Sequence, residues 1–179
     1  MGKGNGGLYP ILFLTAVVLI SVIALTVTNG ITEEPIAEGR RQAIMEMLQT
    51  LFPKMDDFSF DEQSERYSVT AGGASLGQAF MAQGVGYGGP IDILVGLEPD
   101  NTLRGIQIVS QKETPGLGAK ITETAFLDRF VGADGRTLAL AKDGGTIDAI
   151  TGATISSSAV VEAIKAAVLE QSGNNEGGE

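Results

Sequence analysis

The 179-residue chain contains no histidine, no cysteine and no tryptophan. Without histidine there is no Ser-His-Asp or Cys-His machinery, and the usual nitrogen ligands for zinc, copper or haem iron are missing. Without cysteine there is no disulfide, thiolate nucleophile, iron–sulfur cluster or covalently attached haem c, and cysteine usage cannot report the redox compartment. Positive charge is also scarce: 12 Lys and Arg stand against 22 Asp and Glu, a formal net charge of -10. Binding a polyanion needs clustered cations, so nucleic acid is excluded as a partner. What the chain has instead is 25 glycines in a sequence that is 43% hydrophobic, the mark of a folded body with many tight turns or close backbone approaches.

The longest apolar run, LYPILFLTAVVLISVIALTV, covers residues 8–27 without a charged side chain. As a helix rising about 1.5 Å per residue it would span about 30 Å, the thickness of a bilayer's hydrocarbon core. The competing reading is a cleaved signal peptide behind the short basic segment MGKGNGG. The run exceeds a typical signal core, however, and passes into Thr26-Val27-Thr28-Asn29 without a small-x-small cleavage site. A retained transmembrane helix, in contact with lipid through residues 8–27, is therefore expected. Lys3 precedes it and Glu33 and Glu34 follow it, so the positive-inside rule places residues 1–7 in the cytoplasm and the rest on the extracytoplasmic, periplasmic side of the inner membrane. All 22 acids and all bases but Lys3 follow residue 30, which concentrates the negative charge in the exported part.

Residues 28–66 read as a juxtamembrane helix and linker. Ile36, Ile44, Met47, Leu48 and Leu51 recur near helical spacing over Pro35 to Leu51, Pro35 suits a first turn, Pro53 is a stop, and Asp56 to Arg66 reads as a polar loop or helix end. Residues 67–171 form the expected folded domain. Tyr67 to Ala71 and Gln78 to Ala82 are short candidate strands separated by the glycine-rich stretch Gly72 to Gly77. Ile91, Ile93, Val95 and Leu97 alternate, Glu98-Pro99-Asp100-Asn101 places proline at the second position of a type I turn, and Leu103 to Ser110 returns. That is the clearest hairpin. Ile121 to Val131 fits a short helix, Leu138 to Ala141 an edge strand, and Ile155 to Glu170 an amphipathic helix ending at Gly173, with residues 172–179 a disordered tail. Strands followed by a packed terminal helix predict an α+β domain with a small antiparallel sheet.

Three glycine-containing loops hold the candidate chemistry. Asp148-Ala149-Ile150-Thr151-Gly152-Ala153-Thr154 runs straight into the terminal helix, where small residues, two hydroxyls and unpaired helix N–H groups suit a phosphate; an ordinary N-cap explains the same spacing. Lys112-Glu113-Thr114-Pro115-Gly116-Leu117-Gly118 follows the hairpin. Pro115 sets its own φ, and Gly116 and Gly118 permit positive φ or the close approach of a flat ligand; a plain Pro-Gly turn is the alternative. In Gly84 to Pro90, Tyr87 either stacks on an aromatic cofactor or covers the core. The methionines read as core or gap-filling residues.

The segments GYGGPIDILVGL, KETPGLGAKI and KDGGTIDAITGATISSSAVVEAIK, in that order behind an N-terminal anchor, resemble the FMN-binding domain found in the G subunits of Rnf-type ion-translocating electron-transport complexes, with the C subunits of Na⁺-translocating NADH:quinone reductases as relatives. The resemblance covers residues 67–170. It implies an electron-carrying flavoprotein within a membrane complex that couples electron transfer between ferredoxin and NAD⁺ to cation translocation, with the other membrane subunits as partners and no substrate turned over by this chain alone. It implies covalent FMN joined through its phosphate to Thr154, installed by a dedicated flavin transferase for which Asp148 is the recognition acid. Thr151, Gly152 and Ala153 would lie beside the phosphate, Glu113, Thr114, Pro115, Gly116, Leu117 and Gly118 would wall the flavin pocket, and Tyr87 would contact the cofactor. Neither a catalytic residue nor a metal site of the chain's own is implied. Where many relatives have a histidine before E-T-P-G-L-G, this chain has Ser110-Gln111-Lys112, so any role of that histidine does not carry over. Lys112, Lys120 and Lys142 are candidate partners of the phosphate or the reduced ring, against the alternative of solvated surface lysines. Three further readings stay open: the corresponding FMN protein of the quinone reductase, a cofactor-free anchored binding or assembly module, and a free-standing flavin reductase.

Overall fold

A computed structural model describes the backbone over residues 8–176 and the side chains over 10–22 and 42–172. The chain divides into two compact units, Met1–Met45 and Glu46–Glu179. The first helix, α1, runs over Leu8–Leu51 and so joins the two segments that the sequence separates at Pro35. One proline removes a single backbone donor, and both flanking segments carry helical pattern. The side chains of Ile11 to Leu14 and of Val17 to Ile20 are exposed apolar groups. Among the described residues no helix is long and apolar enough to cross a membrane; the side chains of residues 23–27, which complete the expected span, lie outside them.

The second unit is an α+β domain built on one antiparallel five-stranded meander: β1 (Asp57–Asp61), β2 (Arg66–Ala71), β3 (Ala74–Val85), β4 (Pro90–Leu97) and β5 (Leu103–Ser110), paired in chain order. The β4–β5 hairpin forms as its alternation predicts. Asn101 N–H donates to the Glu98 carbonyl at 3.0 Å behind Pro99, and the Asp100 carboxylate accepts the Thr102 N–H at 2.9 Å, a bond that holds the Asp100 carboxyl below its ordinary range. Between β2 and β3 the turn needs only Gly72-Gly73. The strand expected over Gln78 to Ala82 is therefore longer, starting at Ala74 and reaching Val85. The stretch Asp56 to Arg66, read as a loop, contains β1. This strand lies at the sheet edge, mostly exposed and flanked by aspartates, with the tilted rings of Phe60 and Tyr67 centred 4.7 Å apart, so only one apolar pair marks it in the sequence.

Three further expectations change. Ile121 to Val131 is a chain of short turns, Gly118–Thr122, α2 (Thr124–Leu127) and Asp128–Phe130, that drives Ile121, Phe126 and Phe130 into the core. Leu138 to Ala141 is no strand. It makes one parallel bridge, Leu140 to Ile147, and contributes two buried leucines. The terminal helix, α3, starts at Thr154 and continues through Gly173 to Glu176, since a helical glycine costs only about 1 kcal/mol; residues 177–179 of the expected tail lie outside the described residues.

The core lies between α3 and one face of the sheet. Val160, Ile164 and Val168 are fully buried in the same cluster as Phe80, Ile91, Ile93 and Val95. Leu51 and Phe52 cover the opposite face against Gly96. How close α3 comes is set at Gly84, where an added Cβ would stand 2.5 Å from the Ala159 carbonyl oxygen. Gly84→Val therefore pushes the helix off the sheet. The expected loss is about 1–3 kcal/mol, read as a lower urea midpoint with unchanged slope.

Candidate functional site

The meander brings the end of β3, the start of β4 and the end of β5 to one end of the sheet, with Val85 paired to Pro90 and Asp92 to Ser110. Two of the three glycine loops of the sequence leave from that end, and the third, residues 148–154, comes to it by running into α3, whose first turn meets Glu113 through Ser156. Two loops use the same device. In Thr114-Pro115-Gly116-Leu117 the Leu117 N–H donates to the Thr114 carbonyl at 3.2 Å with Gly116 at φ 76°. In Ile150-Thr151-Gly152-Ala153 the Ala153 N–H donates to the Ile150 carbonyl at 2.9 Å with Gly152 at φ 80°. Both are type II geometry, which requires a left-handed third residue and so selects glycine.

The second turn is stapled from inside. The buried Ser157 hydroxyl accepts the Ile150 N–H at 3.0 Å and donates to the Ala153 carbonyl at 2.9 Å, coupling the loop to the first turn of α3. Arg129, whose guanidinium lies 5.6 Å from the Phe126 ring centre, donates to the Asp148 carbonyl at 2.5 Å. The loop that presents Thr154 is thus held at both ends.

Between the loops lies a cleft of about 560 Å³, within the range of roughly 300–1,000 Å³ that small-molecule sites occupy. Glu113, Gly118, Ala153 and Ser156 are its buried lining residues, and Thr114, Gly152 and Thr154 stand exposed at it. Three apolar side chains line it while open to solvent: Tyr87 at 75%, Ile155 at 58% and Leu117 at 47% exposure. Exposed apolar groups gathered around a concavity mark a surface meant to be covered. Among the described residues, Glu113 is the one charged side chain in the lining.

Of the residues singled out in the sequence, Tyr87, Glu113, Thr114, Leu117, Gly118, Gly152, Ala153 and Thr154 come together here. Pro115 and Gly116 form the exposed tip of their turn, and Thr151 and Asp148 are exposed on the approach to α3; none of these four lines the cleft. Lys112 and Lys120 are exposed and also outside it, while Lys142 pairs with Asp143 at 3.3 Å and borders a second, smaller hollow on the other side of Thr154 and Ile155. Sequence reasoning missed Ile155, Ser156 and Ser157. Their only signal is position, since the first turn of a helix that ends a glycine loop faces whatever that loop holds.

Residues 86–169 match the model of the FMN-binding domain family. The G subunit of an ion-translocating oxidoreductase complex from Aliivibrio fischeri is 32% identical, over 88% of this chain and 86% of its own length. The G subunit of a proton-translocating ferredoxin:NAD⁺ oxidoreductase complex from Clostridium ljungdahlii is 33% identical, over 87% and 86%. Among solved structures, the C subunit of the Na⁺-translocating NADH–quinone reductase from Parabacteroides distasonis is similar at a TM-score of 0.52 and 28% identity, over 57% of this chain and 58% of that one.

The Ser157 staple makes a local prediction. Ser157→Ala leaves the Ile150 N–H without its partner, at an expected cost of about 1–3 kcal/mol. The Ile150 amide should exchange with solvent faster than in the unaltered protein, while amides of β4 keep their relative protection.

Proposed function

The chain belongs to the family of G subunits of ion-translocating oxidoreductase complexes, and on that premise we propose that it carries electrons within such a complex on an FMN joined through its phosphate to Thr154. The observation that carries this reading is the position of Thr154: an exposed residue at the first position of α3, on the rim of a cleft lined by the other loop residues the family pattern selects.

The residues fit the group. The first N–H groups of a helix have no intrahelical partner and favour an anion, so the start of α3 supports a phosphate at Thr154. Gly118 and Gly152 keep side chains out of the cleft, and Tyr87, Leu117 and Ile155 offer apolar surface to a flat ring. FMN supplies the redox-active ring that the amino acids of this chain cannot, since no cysteine or histidine is present to hold a metal or sulfur centre. The protein holds that ring at a defined place and in a defined field. Attachment needs help, because a threonine hydroxyl is a weak nucleophile and no histidine or lysine lies within residues 148–154 to act as its base. A dedicated transferase, recognising the exposed segment from Asp148 onward, meets that need. The electrons pass between ferredoxin and NAD⁺ through the complex as a whole, and the neighbours of this chain are the other subunits.

The charge-free run at residues 8–27 and the lysine before it support a single anchor with the N-terminus in the cytoplasm. Protease added to spheroplasts should then cleave the region after residue 30. Complete protection of a domain that is cleavable once the membrane is dissolved would overturn the orientation.

After co-expression with the transferase, the protein band on a denaturing gel should fluoresce under ultraviolet light. It should go dark in Thr154→Val and stay bright in Thr154→Ser, which keeps the hydroxyl. A dark band from the unaltered chain, with a transferase shown to be active on a second substrate, would overturn the linkage.

A further inference from the structure

Glu113 is buried to 5% exposure, yet it lines the cleft and has no cation beside it there. Both carboxylate oxygens act as acceptors. Oε1 accepts the Gly88 N–H at 2.9 Å and Oε2 accepts the Ser156 hydroxyl at 2.5 Å. The surroundings are shaped to it: a Cβ on Gly118 would stand 2.6 Å from Oε2, and one on Gly86 would collide with Oε1. Both oxygens of this carboxylate thus act as acceptors within a protein-walled cleft.

We infer that Glu113 sets the reduction potential of the bound flavin, its fixed negative charge holding that potential below the value the same cleft would give with a neutral side chain. The inference rests on the proposed attachment of FMN at Thr154. Reduction adds electron density to the ring, and a like charge nearby, poorly screened by solvent, disfavours that change. Among the described residues the cleft lining itself holds no cation; Lys142 borders the neighbouring hollow that shares Thr154 and Ile155, where it pairs with Asp143. The dipoles donated by Gly88 and Ser156 hold the carboxylate in place without cancelling its charge. Glu113 thus acts on the cofactor through the field, and Ser156, which meets it from the first turn of α3, positions it.

The test is a spectroelectrochemical titration of the full-length, flavinylated, detergent-extracted protein, with attachment verified first by in-gel fluorescence. Glu113→Gln keeps the shape and the Oε1 acceptor while removing the charge, and should move the flavin midpoint to a more positive potential. At a fixed poise this lowers the ratio of oxidised to reduced flavin roughly tenfold. Ser156→Ala removes a neutral donor and leaves the charge, so its midpoint should stay in place or move to a more negative potential. A merely structural knot predicts the same direction for both variants, because both cut the Glu113–Ser156 bond. An unchanged or more negative midpoint in Glu113→Gln overturns the inference, and so does a positive shift in Ser156→Ala, which serves alone if Glu113→Gln does not fold. An unaltered chain that carries no flavin overturns the attachment at Thr154 and this inference with it. Flavin present without the shift overturns the inference alone.

Discussion

Glu113 stands where three separately encoded segments converge, and each is tied to it by chemistry rather than by apolar contact. Gly88 comes from the β3–β4 loop, Ser156 from the first turn of α3, and Glu113 itself from the segment after β5. A buried charge costs several kcal/mol unless it is fully hydrogen-bonded, so this carboxylate cannot keep its place unless both partners keep theirs. The result is a mutual constraint. The cleft takes its shape because the side chain with the most to lose from disorder sits at its base.

The sheet makes that convergence possible. A meander of five strands in chain order returns alternate loops to the same end, which brings the β3–β4 turn and the exit of β5 together without a long connection. α3 is then pulled against the sheet by Val160, Ile164 and Val168, at a distance Gly84 permits. Its N-terminus is thereby delivered to the loops. The two type II turns, at Thr114–Leu117 and Ile150–Ala153, add a local rigidity that apolar packing at a rim cannot supply.

How much of this was legible in the sequence depends on how many signals agree at a position. At residues 91–110 alternation, a proline turn and strand propensity point the same way, and the hairpin is found nearly residue by residue. β1 carries a single apolar pair among aspartates on an exposed edge, so nothing in its pattern separates it from a loop. The loops were recognisable as glycine motifs, and Gly116 and Gly152 do hold positive φ. What no periodicity could reveal is the pairing of Glu113 with Ser156, 43 residues apart, because it is a contact made by the topology. For the same reason Pro115, Gly116, Thr151 and Asp148, indistinguishable by motif from their neighbours, fall outside the cleft.

The openness of the cleft bears on the way its ligand would be held. Tyr87, Leu117 and Ile155 remain exposed around it, which leaves little enclosed surface to generate affinity. A ligand joined covalently at Thr154 has no such requirement, since the link fixes its local concentration irrespective of burial. Weak apolar contacts and one well-placed charge then suffice to orient it and set its field. A ring left partly open on one side can exchange electrons with a neighbouring protein of the complex without this one having to open. A cofactor carrier with a shallow, rigid site and a tether is thus a physically consistent alternative to a deep pocket, and it suits a chain that has no histidine or cysteine with which to hold a redox centre by ligation.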